Sequence, residues 1–354
     1  MPKVSLIIPT YNAEKFIQRG LNSISEQTYN DFDVTVVDDG SIDKTAEIAE
    51  TYSGLLKGKL NVIRQNNTGP AGARQTGVDN TDSDYLAFMD SDDFVNNVYL
   101  EQLVKTLEET GANIVHSACG MHFNLPLIRK IFFKGKTQKE GLIDLEEQKD
   151  KLNSINVVTN MKLYKRPFFE TTKLDVGANE DLCKTYLMAA KARYIAYANK
   201  AWYHYVSLDT GLAQTQLIGF SYDKISNTLI PLEEMKNQFI KSGLFEMYYS
   251  QIETIFIWQI FQRINMINSQ PLETYEKNQF LSLLINFLDV HFPNWMSNDY
   301  CKGRSKEFQI LDLIDAKKAM KAIKKGNLGY QFDTPEEIHE NYKQLSKMIE
   351  LRHK

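Results

Sequence analysis

The sequence predicts an α/β fold, a mostly parallel sheet flanked by helices in a Rossmann-like arrangement, followed by an α-helical C-terminal extension. Three observations carry this. The first 110 residues alternate short apolar runs with stretches of helical spacing, and such alternation builds a parallel sheet with helices on its faces. Four polar clusters in that region each fall at the end of an apolar run. From about residue 216 the strand patterns give way to helical ones.

Val4–Ile8, Val34–Val37, Leu60–Ile63 and Tyr85–Met89 read as the strands. Between them, Ala13–Glu26, Asp43–Tyr52 and Ala71–Val78 read as helices, the first with Ile17, Leu21 and Ile24 on one face. From 111 to 215 the pattern is more mixed: Ile114–Ser117, Arg193–Tyr197 and Ala201–Val206 read as strands and Glu180–Ala190 as a helix. Residues 1–215 are therefore expected to form one catalytic domain, with 1–110 binding a nucleotide-like ligand and 111–215 facing the second substrate. Residues 216–354 are expected to be a helical domain. There Ile225, Leu229, Leu232, Met235 and Phe239 share one helix face, and Ile255–Phe261 is apolar almost all round, as in a buried helix. Gly326-Asn327-Leu328-Gly329 should interrupt the helices before a last one from Pro335.

At 354 residues the chain is long enough for two domains. Its 43% hydrophobic and 24% charged residues are those of a folded protein. A net charge of −4, from 41 basic and 45 acidic residues, sets up no field that would attract nucleic acid. Three scattered cysteines argue against a disulfide framework and for a reducing compartment. No run reaches the ~20 apolar residues of a membrane span, and Met1–Ile8 lacks the features of a signal peptide. A cytoplasmic protein is expected. Lys317, Lys318, Lys321, Lys324 and Lys325 form a basic helical pattern. A solvated face is the default for such a run, although it could also touch an anionic membrane surface from the inner side.

In α/β sheets ligands bind beyond the carboxyl ends of the strands, where Pro9-Thr10-Tyr11-Asn12, Asp38-Asp39-Gly40-Ser41, Asn66-Asn67-Thr68-Gly69 and Asp90-Ser91-Asp92-Asp93 fall. The last cluster is the most telling. Like charges this close raise each other's pKa and cost stability unless a cation joins them. In extended backbone Asp90 and Asp92 would point the same way, and hard oxygen ligands suit Mg2+ or Mn2+ rather than zinc. Asp93 as the cap of a helix from about Val95 would explain one acid, not three. Asp38-Asp39 could bind base and ribose or simply form a turn in which Ser41 caps the next helix. Asn67 to Arg74 reads as a helix start able to receive a phosphate at its free N–H groups, with Arg74 one turn in to neutralise a diphosphate. There is no Gly-x-x-x-x-Gly-Lys loop and no Gly-x-Gly-x-x-Gly, so P-loop and dinucleotide-binding readings lose ground.

Val4–Asn12, Val37–Ser41, Asn67-x-Gly69 and Met89–Asp93, in this order and spacing, resemble the family 2 glycosyltransferases of GT-A fold. The resemblance is specific over residues 1 to about 110. It continues to about 210 through Met161-Lys162-Leu163-Tyr164-Lys165-Arg166 and Asn179-Glu180-Asp181-Leu182. It implies an inverting transferase that moves a hexose or N-acetylhexosamine from a UDP-sugar to a carbohydrate hydroxyl, with Mn2+ or Mg2+. Surface polysaccharide assembly or extension of a lipid-linked or protein-linked glycan is the implied setting. Carried over, Pro9 and Tyr11 would line the base and ribose pocket, and Asp39 with Asn67 would hold the uracil. Gly69 and Arg74 would face the diphosphate. Asp90-Ser91-Asp92 would be the Asp-x-Asp motif, with Asp90 toward the ribose and Asp92 on the metal. Asp181 would be the general base, with Glu180 as acceptor ligand or alternative base, although both acids also suit a helix N-terminus. His204, in a short aromatic strand, is a candidate further metal ligand or a half-buried structural histidine. Met161 stands where many relatives carry Trp. The C-terminal helices could also join two copies of the chain.

Two other classes of protein fit these residues less well. A nucleotidyltransferase that makes activated sugars would need a Gly-rich basic loop where Pro9–Asn12 stands. A non-catalytic sugar-nucleotide-binding module would have no need of Asp90, Asp92 and Asp181 together.

Overall fold

The computed structural model describes residues 2–125, 128–134, 141–171, 180–207, 222–269, 274–299 and 301. The basic run from Lys317 to Lys325, the break at Gly326–Gly329 and the helix expected from Pro335 lie outside these. The chain divides into two compact units between Gly211 and Leu212.

The first unit opens with strictly alternating elements: β1 (Val4–Thr10), α1 (Ile17–Ser25), β2 (Phe32–Asp38), α2 (Thr45–Glu50), β3 (Leu60–Arg64), α3 (Gly69–Asp79) and β4 (Tyr85–Phe88). β3, β2, β1 and β4 lie side by side in that order, all parallel. β1 is buried along its whole length because helices cover both faces, which is why it reads as a continuous apolar run. α1 turns Ile17, Gly20, Leu21 and Ile24 inward. α3 packs so close on β1 that a Cβ on Gly77 would collide with Ile7.

β5 (Phe94–Val95), α4 (Tyr99–Thr110) and β6 (Ile114–Leu125) follow. α4 buries Leu100, Leu103, Val104 and Leu107 and stops at Gly111, whose φ of 68° is the left-handed conformation of a helix C-terminus. Three strands with no clear sequence signal come next: β7 (Ile128–Lys134), β8 (Gly141–Asp144) and β9 (Lys162–Lys165). Then come α5 (Arg166–Glu170), α6 (Glu180–Ala192) and β10 (Tyr194–Ser207). The sheet runs β3-β2-β1-β4-β9-β6-β10-β5, with β7 added on β6 and β8 on β10. β9 is antiparallel to both β4 and β6, so it joins the parallel block to a second block in which β6 and β10 run parallel. The two strands expected at 193–206 are one, β10, whose register against β6 shifts between Ala198 and Trp202. A β-bulge breaks side-chain alternation there, which is why the sequence reads as two pieces.

The strand order places a switch point between β1 and β4, from which successive strands depart in opposite directions. A crevice outside the carboxyl ends forms at such a point. Thr10 pairs with Asp38 and Asp38 with Arg64, so the loops after β1, β2 and β3 leave at one level.

The second unit contains α7 (Tyr222–Lys241), α8 (Tyr249–Ser269) and α9 (Thr274–His291). Leu229, Leu232, Met235 and Phe239 are buried on α7, and Ile252, Ile255, Phe256, Ile257, Ile260 and Phe261 on α8. Trp295 is buried beyond α9 and donates to Asp289 at 2.8 Å. No helix among the described residues is long and apolar enough to cross a membrane.

Candidate active site

The loops after β2 and β3 are tied together by Asp39. Its carboxylate accepts the backbone N–H groups of Thr68 and Gly69, both at 2.8 Å, and the Gln65 amide at 2.7 Å. Asn67 donates its side-chain amide back to the Asp39 carbonyl at 3.0 Å. Hydrogen bonds to a charged group contribute about 1.5–3 kcal/mol each, so a buried carboxylate moors the start of α3. Gly40 sits between these loops at φ 80°, and a Cβ there would lie 3.2 Å from the Asn67 nitrogen. Asn12 is bonded twice to the loop after β2: Asn12 N–H donates to Ser41 Oγ, and Asn12 Oδ1 accepts from Ile42 N–H. Ser41 therefore ties two loops and does not cap α2, which starts at Thr45 without a side-chain cap. Pro9 is buried in β1, whereas Tyr11 is 54% exposed beside the crevice.

The acid cluster folds differently from expectation. Asp90 to Asp93 is not extended: Asp93 N–H donates to the Asp90 carbonyl at 3.1 Å and closes a turn, so strand alternation does not set where these acids point. Nor does Asp93 cap a helix. The next element is strand β5, α4 begins at Tyr99 without a side-chain cap, and Asp93 is fully buried. Its Oδ2 accepts the Tyr203 hydroxyl at 2.6 Å and its Oδ1 the Val206 N–H at 2.8 Å. Asp90 is held by three groups: Arg74 at 3.1 Å on Oδ1, Asn160 Nδ2 at 2.7 Å on Oδ2, and the Tyr203 hydroxyl, which accepts its backbone N–H at 3.0 Å. Arg74 thus faces Asp90 across the mouth, and Ser91 is half-buried within the turn. Arg19 of α1 donates to the Asp92 carbonyl.

Burial, and then the neighbouring Asp90, push the Asp92 carboxyl up to about 6, and the same two causes with Asp92 added push Asp93 well above the usual range. A divalent cation relieves this repulsion. Two hard carboxylates suit Mg2+ or Mn2+ when substrate phosphates supply further oxygens, and they do not make a self-sufficient centre. No three His, Cys, Asp or Glu gather into a metal-binding group among the described residues. His204 does not join Asp90 and Asp92 in such a group. Its ring stacks on Phe94 with centroids 4.5 Å apart, and its Nδ1 lies 2.9 Å from His122 Nε2. Burial, then His122, lower its pKa to about 4.

Glu180 and Asp181 open α6; their side chains lie outside the described part. Four residues of the acid cluster's surroundings carried no sequence signal: Arg19, Asn160, Tyr203 and His122. Asn160 directly precedes Met161, which the resemblance had marked. Met161 holds φ 62°, uncommon for a side chain of this kind.

Residues 5–172 match the family model described as Glycosyl transferase family 2. Over these residues the chain carries a family 2 glycosyltransferase domain. Over 217 residues the chain is 32% identical to glycosyltransferase GlyA of Streptococcus pneumoniae serotype 4, covering 57% of this chain and 30% of that protein. Over 117 residues it is 35% identical to poly(ribitol-phosphate) beta-N-acetylglucosaminyltransferase TarS of Staphylococcus aureus, covering 32% of this chain and 20% of TarS. The chain spans 30%, 35% and 60% of the length of the first three curated relatives it matches. Among solved structures, residues 1–349 of S. aureus TarS in complex with UDP-GlcNAc align with a TM-score of 0.50 at 22% identity, covering 89% of this chain and 79% of that one. The mannosyltransferase PcManGT from Pyrobaculum calidifontis, in complex with GDP-Man and Mn2+, aligns with a TM-score of 0.52 at 14% identity, covering 86% and 83%. At these identities the structural likeness speaks for the fold, which is GT-A. Within this fold α3 links two of the polar loops: Thr68 and Gly69 at its start bond Asp39, and Arg74 further along bonds Asp90.

Proposed function

We propose that this protein is an inverting glycosyltransferase that moves a hexose or N-acetylhexosamine from a UDP-sugar to a carbohydrate hydroxyl, in surface polysaccharide or glycan synthesis. The observation that carries the reading is that one helix of a family 2 domain, α3, bonds Asp39 at its start and the acid turn through Arg74 and Asp90. The UDP-GlcNAc complex of TarS and the Mn2+ complex of PcManGT support the donor class and the cation.

In this reading Pro9, Tyr11, Asp39 and Asn67 form the wall against base and ribose, and Gly69 faces the diphosphate. Asp90 and Ser91 approach the ribose, and Arg74 meets the diphosphate. Asp92, helped by Asp90, holds Mn2+ or Mg2+, which when bound offsets charge gathering on the departing nucleoside diphosphate. Asp181, with Glu180 beside it, takes the proton from the acceptor hydroxyl as that oxygen attacks the anomeric carbon. The acceptor is a carbohydrate carried on lipid or protein.

The test is a panel of UDP- and GDP-sugars with Mn2+, measuring nucleotide release with and without oligosaccharide acceptors. Release from one UDP-sugar, abolished by EDTA and restored by Mn2+ or Mg2+, is expected. Full activity in chelator would remove the metal from the scheme, and turnover restricted to GDP-sugars would overturn the donor.

A further inference from the structure

We propose that Asn160 and Tyr203, with Asp93 behind them, are positioning residues that fix the direction of the Asp90 carboxylate at the mouth of the donor site. The inference rests on the proposed role of Asp90 in that site.

The donor and acceptor chemistry leaves one assignment. The Tyr203 hydroxyl has a single proton and can accept two more hydrogen bonds. Two of its neighbours, the Asp90 N–H at 3.0 Å and Asn160 Nδ2 at 3.1 Å, can only donate. Its own proton therefore points to Asp93 Oδ2 at 2.6 Å, which is an acceptor. Asp93 is anchored in turn by the Val206 N–H of β10 at 2.8 Å. The phenol oxygen is saturated and has one orientation. Asn160 is oriented by the same logic, because a carboxylate at 2.7 Å requires its Nδ2, not its Oδ1. Its two contacts thus bridge Asp90 and the saturated phenol.

Two further observations separate this from ordinary core packing. Asn160 is 3% exposed, and its Oδ1 has no hydrogen-bond partner among the described residues. A buried unpaired acceptor is costly, and an apolar side chain of the same shape would avoid it. What asparagine supplies here is the donor to Asp90. The next residue, Met161, sits at φ 62°, where a non-glycine residue is disfavoured. Backbone strain immediately beside Asn160 fits a chain bent to deliver that side chain rather than one relaxed around its core.

The acid turn thus borrows its geometry from the second half of the domain. β9 and β10 reach back to hold a carboxylate that follows β4. A donor binding at Asp90 would meet a carboxylate with Oδ1 on Arg74 and Oδ2 on Asn160, not one that rotates freely.

The experiment measures UDP binding in the presence of Mn2+ by calorimetry, and thermal stability, for the wild type, Asn160→Leu and Tyr203→Phe. Asn160→Leu is close in shape and removes the orphaned acceptor, so its melting temperature should stay or rise. Its UDP affinity should nonetheless fall about tenfold or more, as loss of a charge-assisted hydrogen bond at the site implies. Tyr203→Phe should weaken binding in the same direction by releasing the Asp90 N–H and Asn160 together. Unchanged UDP affinity in both folded variants, whatever their melting temperatures, would overturn the positioning role and leave the donor site intact. A wild type that binds no UDP with Mn2+ would overturn the donor-site reading itself.

Discussion

Asp39 has two roles that one substitution can separate. In the structure its carboxylate holds the backbone of Thr68 and Gly69, and in the proposed function it also meets the uracil. Asp39→Ala should lower stability by about 1–3 kcal/mol, because it leaves two loop N–H groups without their acceptor. It should also weaken UDP binding. Denaturant unfolding and calorimetry report the two separately, and unchanged UDP affinity in a destabilised variant would assign Asp39 to the loops alone. Asp181 calls for the opposite pattern. Asp181→Asn keeps the side chain's shape but cannot take a proton. Transfer should drop about 10²–10⁴-fold, while UDP affinity stays within about threefold, under ~1 kcal/mol. Equal losses of binding and transfer would make Asp181 structural. Near-normal transfer would move the base, most simply to Glu180.

Helices and strands set the conditions in which such side chains titrate. His291 ends α9, with its ring centroid 4.3 Å from that of Phe287 and its carbonyl accepting from Lys236. Burial, then Lys236, lower its pKa from 6.5 to about 4. The folded state therefore keeps this imidazole neutral where the unfolded chain takes up a proton. Stability from this group is complete above about pH 6.5 and is lost as the pH falls toward 4. His291→Phe should flatten that part of the curve of stability against pH in urea titrations. A variant with the wild-type slope would place the acid sensitivity elsewhere, for example at the His122–His204 pair.

At the scale of the whole molecule, the chain forms two compact units. One contiguous buried cluster of the first runs from Val4 to Tyr203, while residues from Leu229 to Trp295 are buried in the second. Compact units can unfold separately. Differential scanning calorimetry is expected to resolve two transitions. Saturating UDP with Mn2+ should raise only one, by about 2.7 kcal/mol at a hundredfold excess over Kd. If both transitions move together on adding ligand, the second unit contributes to the donor site.

The parallel block of the glycosyltransferase domain was legible from residues alone, because β1, β2 and β4 are apolar runs ending in polar clusters and α1 has its apolar residues at helical spacing. Local chemistry suffices there: burial on both faces demands apolar strands, and parallel topology puts all their carboxyl ends on one edge. β7, β8 and β9 were not legible. They are short or polar strands recruited by their neighbours, and pairing across a sheet leaves no local pattern in a run such as Lys162–Lys165. The acid turn shows the same division. Its composition announced a charged site, but whether Asp93 caps a helix or lies buried depends on Tyr203, 110 positions later in sequence. Asn160 looks unremarkable until β9 pairs with β4 and brings it within 2.7 Å of Asp90. Residue type and periodicity determine which groups can do chemistry. Only the folded sheet decides which of them meet, because hydrogen bonds act over about 3 Å and take no account of distance along the chain.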